Sequence, residues 1–273
     1  MNIYAVGDLH LGAAANRDAL DDVVPCPDDW LLIAGDIGEK QEHLELAFEK
    51  LTPRFKQLVW VPGNHELWTL HQSGETARGQ AKYQQCVATC RRYGVLTPED
   101  PYPVVTVAGR DIRIAPLALL YDYSFRPDDV SYKQAVAWAS EASIRCADEE
   151  LIHTDPYQDM ASWCRARCEA AQARLDNECA DDLPTLLLNH YPLRQEFAQL
   201  PWIPRFSIWC GTRRTEDWHR RYNAVAVVYG HLHIPWRRER DGVPFHEVSF
   251  GYPRQWQMWA NSINDAIRTI LSD

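Results

Sequence analysis

A chain of 273 residues, 46% apolar and 24% charged, is long enough to bury one large core. Its formal net charge of −10 disfavours sequence-independent binding to nucleic acid or to an anionic membrane. No internal repeat, low-complexity tract or apolar run of bilayer length interrupts it, so a single domain spanning 1–273 is expected.

The first third alternates short β-branched runs with helical patterns. Strands are expected near Ile3 to Val6, Leu31 to Ala34 and Leu58 to Val61, with helices near Asn16 to Asp22 and Gln41 to Leu51 between them. A βαβαβ order implies parallel strands. A helix from Glu75 to Tyr93 follows, and then a hairpin of Val104 to Val107 and Ile112 to Ala115 around Ala108-Gly109-Arg110-Asp111. A strand ending near Leu120 and another starting at Thr185 bracket a mostly helical segment, Asp122 to Asp182, too long for a simple connection. The run VAVVY before Gly230 reads as a further strand. Asp241-Gly242 signals a second hairpin between Trp236 to Arg240 and Val243 to Val248, and Asn261 to Leu271 reads as a closing helix.

Five of these apolar runs end in metal-ligand chemistry. IYAV precedes Asp8 and His10, LLIA precedes Asp36, LVWV precedes Asn64 and His65, TLLL precedes His190, and VAVVY precedes His231 and His233. In open α/β sheets, ligands gather at such carboxyl-terminal strand ends. The set is oxygen and imidazole nitrogen without thiolate, which suits zinc, manganese, iron or similar divalent ions rather than a structural cysteine site. Asp8-x-His10 and His231-x-His233 each place two side chains on one side of extended chain, at period two. With seven ligands for two ions one carboxylate must bridge, and Asp36 is the best candidate because a carboxylate offers two oxygens. Two ions share a water whose pKa falls toward neutrality, and with only two ligand carboxylates, Asp8 and Asp36, the pocket is strongly positive and fits a phosphate. His65 adjoins Asn64 but points elsewhere, free to protonate the leaving alkoxide.

Gly7-Asp8-Leu9-His10, Gly35-Asp36, Gly63-Asn64-His65-Glu66, His190 and Gly230-His231-Leu232-His233 resemble, in order, the five blocks of the calcineurin-like metallophosphoesterase superfamily. The resemblance implies a four-layer α/β/β/α sandwich of two mixed sheets flanked by helices. It implies one metal held by Asp8, His10, Asp36 and His233, a second held by Asp36, Asn64, His190 and His231, and His65 as the catalytic histidine. The implied reaction is hydrolysis of a phosphate monoester or diester of a small metabolite or nucleotide by attack of a metal-bridging hydroxide. Manganese, zinc, iron or a mixture would fill the two divalent positions. Protein serine/threonine phosphatases carry a further Asp and Arg soon after the bridging aspartate, whereas Asp36 is followed by Ile37-Gly38-Glu39, which argues against a phosphoprotein substrate. Asp8-Leu9-His10-Leu11 also resembles cyclic-nucleotide phosphodiesterases and lipid-linked UDP-sugar pyrophosphohydrolases. The acids Asp148, Glu149, Glu150, Asp155 and Asp159 in the 122–182 insert do not suit the membrane-facing cap of the latter.

Competing readings are a nuclease or RNA-processing enzyme that uses the arginines between Pro201 and Arg240, and a metal-binding scaffold without turnover. The 122–182 insert is either a cap that selects substrates or a set of helices covering a sheet. Arg194, Tyr123 and Arg126 are candidate substrate contacts, each with an ordinary salt bridge or structural contact as the alternative. Cys86 with Cys90, and Cys164 with Cys168, are four apart on helical patterns and read as reduced thiols in the core, the latter in a stripe with Met160, Ala171 and Leu175. With a ligand already at Asp8, a cleavable secretory segment has no room, and a cytoplasmic setting without a membrane partner is expected.

Overall fold

The computed structural model describes residues 1–70, 76–181 and 183–273. Among these, two mixed sheets pack face to face. The first runs β10-β1-β2-β3, where β1 is Ile3–Val6, β2 Cys26–Ile33, β3 Phe55–Trp60 and β10 Arg268–Leu271. Strands β1, β2 and β3 are parallel, joined by the short helix α1 (Ala14–Ala19) and by α2 (Gln41–Leu51), and β10 pairs antiparallel to β1. The second sheet runs β4-β5-β6-β7-β9-β8, with β4 Val104–Val107, β5 Arg110–Pro116, β6 Thr185–Leu188, β7 Ala224–Tyr229, β8 Arg237–Arg240 and β9 Val243–Glu247. Its inner strands β5, β6, β7 and β9 are parallel, and antiparallel hairpin partners close both edges.

Strand periodicity decides which layer each apolar residue enters. Ile3, Ala5, Leu32, Ala34, Val59 and Val61 of the first sheet face Val105, Ile112, Ile114, Leu186, Leu188, Ala226 and Val228 of the second in one buried cluster. The alternate residues, Val6, Leu31, Ile33, Leu58 and Trp60, pack instead with Leu44, Phe48 and Leu51 of α2 and with Tyr83, Cys86 and Cys90 of α3 (Gly79–Arg92). Both faces of these strands are therefore buried, which is why they read as continuous apolar runs rather than as alternating ones. On the far side, Leu187, Val227 and Tyr229 share a cluster with Trp163, Cys164, Cys168 and Leu175. The four layers are those expected, two mixed sheets flanked by helices.

Several boundaries depart from the sequence reading: the strand expected to end near Leu120 ends at Pro116, and the helix expected over Asn16 to Asp22 is α-helical over Ala14–Ala19 with a 3-10 turn at Leu20–Asp22. The expected helix from Glu75 begins at Gly79 among the described residues, and Glu75 itself lies outside them. The expected closing helix, Asn261 to Leu271, is helical only over Ile263–Ala266, and Arg268–Leu271 forms β10. The reason is tertiary: β1 would otherwise be an unpaired edge, and the β-branched Thr269 and Ile270 suit the strand that covers it. Both hairpins are present, with positive φ at Ala108-Gly109 and at Asp241-Gly242, as two-residue turns of the right twist require; the first turn is shorter than expected, since Arg110 and Asp111 already pair within β5.

The insert contains α4 (Ala135–Glu141), α5 (Asp148–Leu151) and α6 (Met160–Glu178); its expected last residue, Asp182, lies outside the described residues. Asp159 caps α6 by accepting the Ser162 backbone N–H at 2.8 Å, while the Ser162 hydroxyl lies 3.1 Å from the Asp159 backbone N–H. The stripe Met160, Cys164, Cys168, Ala171 and Leu175 is buried, and all eight cysteines are free thiols. No described helix is long and apolar enough to cross a membrane.

Candidate active site

Strands β1, β2 and β3 run parallel in one sheet, β6 and β7 in the other, and the loops that follow all five meet at one edge of the sandwich. Backbone hydrogen bonds tie them together: Asp8 N–H to Gly35 O at 2.8 Å, His10 N–H to Asp36 O at 3.0 Å, and Gly230 N–H to His190 O at 2.9 Å. Gly7 bridges to Ser249, so the two sheets are joined at this edge. Such close approach needs residues without side chains. A Cβ on Gly63 would collide with the Asp36 carboxylate, and one on Gly230 with that of Asp8. Asp8, His10, Asp36, His231 and His233 all have positive φ, a left-handed conformation that non-glycine residues adopt at a cost and that concentrates at functional sites.

The seven expected ligands converge. Asn64 Oδ1, His190 Nε2 and His231 Nδ1 form a nearly equilateral triangle, with separations of 3.1, 3.2 and 3.2 Å. Asp8 Oδ1, His10 Nε2 and His233 Nε2 form a second, with 2.9 Å between the two histidines, 3.0 Å from His233 to Asp8 and 3.9 Å from His10 to Asp8. Bonds of about 2.1 Å to one ion set adjacent donors about 3 Å apart, so both triangles have the size of a coordination face. Asp36 stands between them. Its Oδ2 is 3.5 Å from His190 Nε2, and it belongs to clusters with both His10 and His231. Burial pushes the imidazoles of His10 and His231 well down and that of His190 to about 4, leaving them neutral with lone pairs to offer. The donor set thus fits two divalent ions.

Neighbouring groups aim these ligands. His190 Nδ1 lies 2.7 Å from Ala34 O, which fixes it as the protonated nitrogen and turns Nε2 toward the centre. His233 Nδ1 lies 2.9 Å from Gln255 Oε1 in the same way. His10 stacks on Tyr252 with ring centres 4.1 Å apart. The Glu66 carboxylate, 1% exposed, accepts backbone N–H groups from Asp36 at 3.0 Å, Ile37 at 2.5 Å and Gly63 at 2.7 Å, locking the second and third loops to each other.

His65 holds a separate position. Its Nδ1 lies 3.0 Å from Glu39 Oε1, and its Nε2 faces inward, 3.9 Å from Asp36 Oδ2. Its ring stacks on Trp68 at 3.7 Å. Although burial opposes it, hydrogen bonds with His43 and His65 hold the Glu39 carboxyl well below the usual carboxylate range. Glu39 is therefore an anion that orients His65.

Glu39, Glu66, Gln255, Tyr252 and Asp148 were not singled out as site residues from sequence. Glu66 stands inside the block Gly63-Asn64-His65-Glu66, and the three-residue offset of Glu39 from Asp36 is a local signal that could mark it. Asp148, Tyr252 and Gln255 carry none, because each arrives from a distant segment. Asp148 is 2% exposed and accepts hydrogen bonds from Asn64 Nδ2 at 3.0 Å and Trp68 Nε1 at 2.7 Å.

A cleft of about 280 Å³ opens over the centre, and the insert supplies Arg145, Cys146 and Ala147 to its wall. The three substrate-contact candidates lie outside that lining. Arg194 is committed to Glu196 at 2.6 Å and Glu216 at 3.4 Å, the ordinary salt-bridge alternative. Tyr123 donates to Glu149 at 2.9 Å, and Arg126 donates to the carbonyls of Val130 and Tyr123. In the arginine-rich stretch, Arg205, Arg213, Arg214, Arg220, Arg221 and Arg240 each lie within 4 Å of a carboxylate, so most of that charge is compensated locally.

Comparison with known proteins agrees with this geometry. A family model described as calcineurin-like phosphoesterase matches residues 1–235. The chain is 45% identical over 258 residues to the [acyl-carrier-protein] phosphodiesterase PptH of Mycobacterium tuberculosis, covering 93% of this chain and 79% of that protein. A crystal structure of phosphopantetheinyl hydrolase (PptH) from the same organism superposes with a TM-score of 0.93 at 42% identity, covering 100% of this chain and 96% of that one. A dimetal phosphatase from Danio rerio, at 11% identity and a TM-score of 0.50 over 91% of this chain and 87% of the other, shares the fold. The chain belongs to the calcineurin-like phosphoesterase family, hydrolases of phosphoric esters that use divalent metals.

Proposed function

We propose that this chain is a phosphodiesterase that removes a phosphopantetheinyl group from acyl carrier protein, with Asp8, His10, Asp36 and His233 holding one divalent ion and Asp36, Asn64, His190 and His231 the other. The observation that carries this reading is the pair of donor triangles joined by Asp36, in a chain similar along its whole length to a protein named for that reaction. Of the monoester and diester alternatives, the diester is therefore favoured, and the substrate is borne by a protein rather than being a free metabolite. Manganese, iron or zinc, alone or as a mixed pair, suits the nitrogen and oxygen donors.

When bound, the ions supply Lewis acidity toward a phosphoryl oxygen and lower the pKa of water. Everything else is done by the chain. Asp36 holds the two halves of the centre together, and Glu66 keeps its loop in place through three backbone N–H groups. The Asn64 amide donates to Asp148, which leaves its oxygen turned inward. His65, with Nδ1 on Glu39, carries a proton on Nε2 and delivers it to the departing alkoxide of the carrier serine. The chain acts as one domain, with the front of the 122–182 insert as a cap, and the eight free thiols suit a cytoplasmic setting.

The test is to incubate metal-replete protein with phosphopantetheinylated carrier protein and follow the carrier's mass. Loss of the whole phosphopantetheinyl group, leaving a free serine, is expected, and His65→Ala should slow it by roughly 10²–10⁴-fold with metal content unchanged. An intact carrier alongside rapid cleavage of an aryl phosphodiester would assign a small diester substrate instead. Failure on both would leave the non-catalytic scaffold.

A further inference from the structure

We infer that Arg145 is a substrate-binding residue that grips a phosphoryl oxygen of the diester; this rests on the phosphodiesterase reading of the same cleft. The walls of the cleft that opens over Asp36, Asn64, His65, His231 and His233 contain one guanidinium and no lysine, and the guanidinium is that of Arg145. Several other arginines in and around the insert are paired with carboxylates, and Arg126, which is not, is held by backbone carbonyls and lies outside the cleft lining. Arg205 pairs with Glu141 at 3.0 Å, Arg213 with Asp128 at 2.6 Å, Arg167 with Glu99 at 2.9 Å and Arg174 with Glu178 at 2.8 Å. Arg145 is exposed and has no carboxylate within ion-pair distance among the described residues. An uncompensated cation in an acidic protein, facing a site for a phosphate, is matched to an anionic ligand rather than to fold stability.

Its position is held from both sides. The short segment 143–147 turns between α4 and α5, with Ser143 at a φ of +58° ending the first helix. Immediately after it, Asp148 accepts from Asn64 Nδ2 at 3.0 Å and Trp68 Nε1 at 2.7 Å, so the segment is fastened directly to a proposed metal ligand and to the ring that stacks on His65. Glu149 accepts from Trp209 Nε1 at 2.6 Å and Tyr123 OH at 2.9 Å, which fastens the other side. The backbone that carries Arg145 is thus fixed relative to the centre, while its side chain is left free to close on a ligand. A planar guanidinium can meet two phosphoryl oxygens with two parallel N–H groups, a geometry that an ammonium lacks. Charge builds on those oxygens as the phosphorus is attacked, so the contact strengthens toward the transition state.

The experiment compares metal-replete wild type, Arg145→Ala and Arg145→Lys in three measurements: inhibition by inorganic phosphate, kcat/KM on an aryl phosphodiester, and kcat/KM on phosphopantetheinylated carrier protein. Because Arg145 is exposed, both variants should fold with unchanged metal content. Arg145→Ala is expected to weaken phosphate inhibition and lower kcat/KM on both diesters by about tenfold to a hundredfold, with Arg145→Lys intermediate. Unchanged phosphate inhibition with a loss confined to the carrier substrate would overturn the inference and make Arg145 a contact for the carrier. No change in any measurement would overturn it too. If the wild type ignores the carrier while Arg145→Ala still loses phosphate and aryl diester, the assigned substrate fails and the role of Arg145 stands.

Discussion

The five ligand-bearing loops and the 122–182 insert meet at the same cleft but are built on different physical terms. Each loop is a short, self-contained signature, a buried strand followed within a few residues by a candidate ligand, in four of the five after a glycine, and in the loops of Asp8, Asp36 and His231 the backbone is held at positive φ. The insert is divided in position. Its front, from α4 through Asp148, reaches the cleft and touches Asn64, whereas α6 lies behind, burying Trp163, Cys164, Cys168 and Leu175. We propose that the front half is the substrate cap, while α6 takes the place of the sheet cover. A loop presents one or two residues at fixed points after a strand, while the insert presents whichever residues the packing brings forward.

The largest effect expected from breaking this contrast lies in the loops. Asp36→Asn removes the carboxylate shared by both donor triangles and should lower kcat by about a hundredfold or more with loss of at least one metal. Elemental analysis checks it, and full occupancy of both positions in the variant would contradict the bridging role of Asp36. Within the insert, Asp148→Ala should free Asn64 and the 143–147 segment together and cost about tenfold in kcat/KM with little change in thermal stability. Leu175→Ala, in the fully buried stripe of α6, should do the reverse: a stability loss of about 2–5 kcal/mol in denaturant titrations, with turnover per folded molecule unchanged. Equal effects of the two substitutions on activity would erase the division of the insert.

The smallest expected effect concerns pH and lies away from both regions. Burial, with a smaller contribution from Arg237, pushes the β9 imidazole of His246 down to about 4. The unfolded chain, with a histidine pKa of about 6.5, then binds the extra proton first. This contribution to stability is present above pH 6.5 and is lost as the pH falls from there to about 4. His246→Gln should flatten the pH dependence of unfolding in that window, and a wild-type slope retained by the variant would place its origin elsewhere.

The parallel strands, the hairpin turns and the five ligand loops could be read from local pattern because each is specified within a few residues. Asp241-Gly242 makes its turn by its own backbone preferences, and IYAV is a strand because both of its faces are buried. The segment from Arg268 to Leu271 reads locally as helix, yet its conformation depends on an open edge of β1, more than 260 residues earlier in the sequence, and no local propensity reports that edge. Arg194, Tyr123 and Arg126 looked plausible by proximity in sequence, yet their partners Glu216, Glu149 and Val130 claim their polar groups first.

What the sequence by itself determined is the candidate chemistry: seven nitrogen and oxygen side chains suited to metal and one further histidine at strand ends, in a fixed order. Only the tertiary structure decided how that chemistry is aimed. Glu39, Gln255 and the Ala34 carbonyl choose which imidazole nitrogen faces inward, and Asp148 brings Arg145 to the cleft wall. The reason is range. A ligand type is a property of one residue, whereas its orientation and the charge above it come from hydrogen bonds made by segments far apart in the chain.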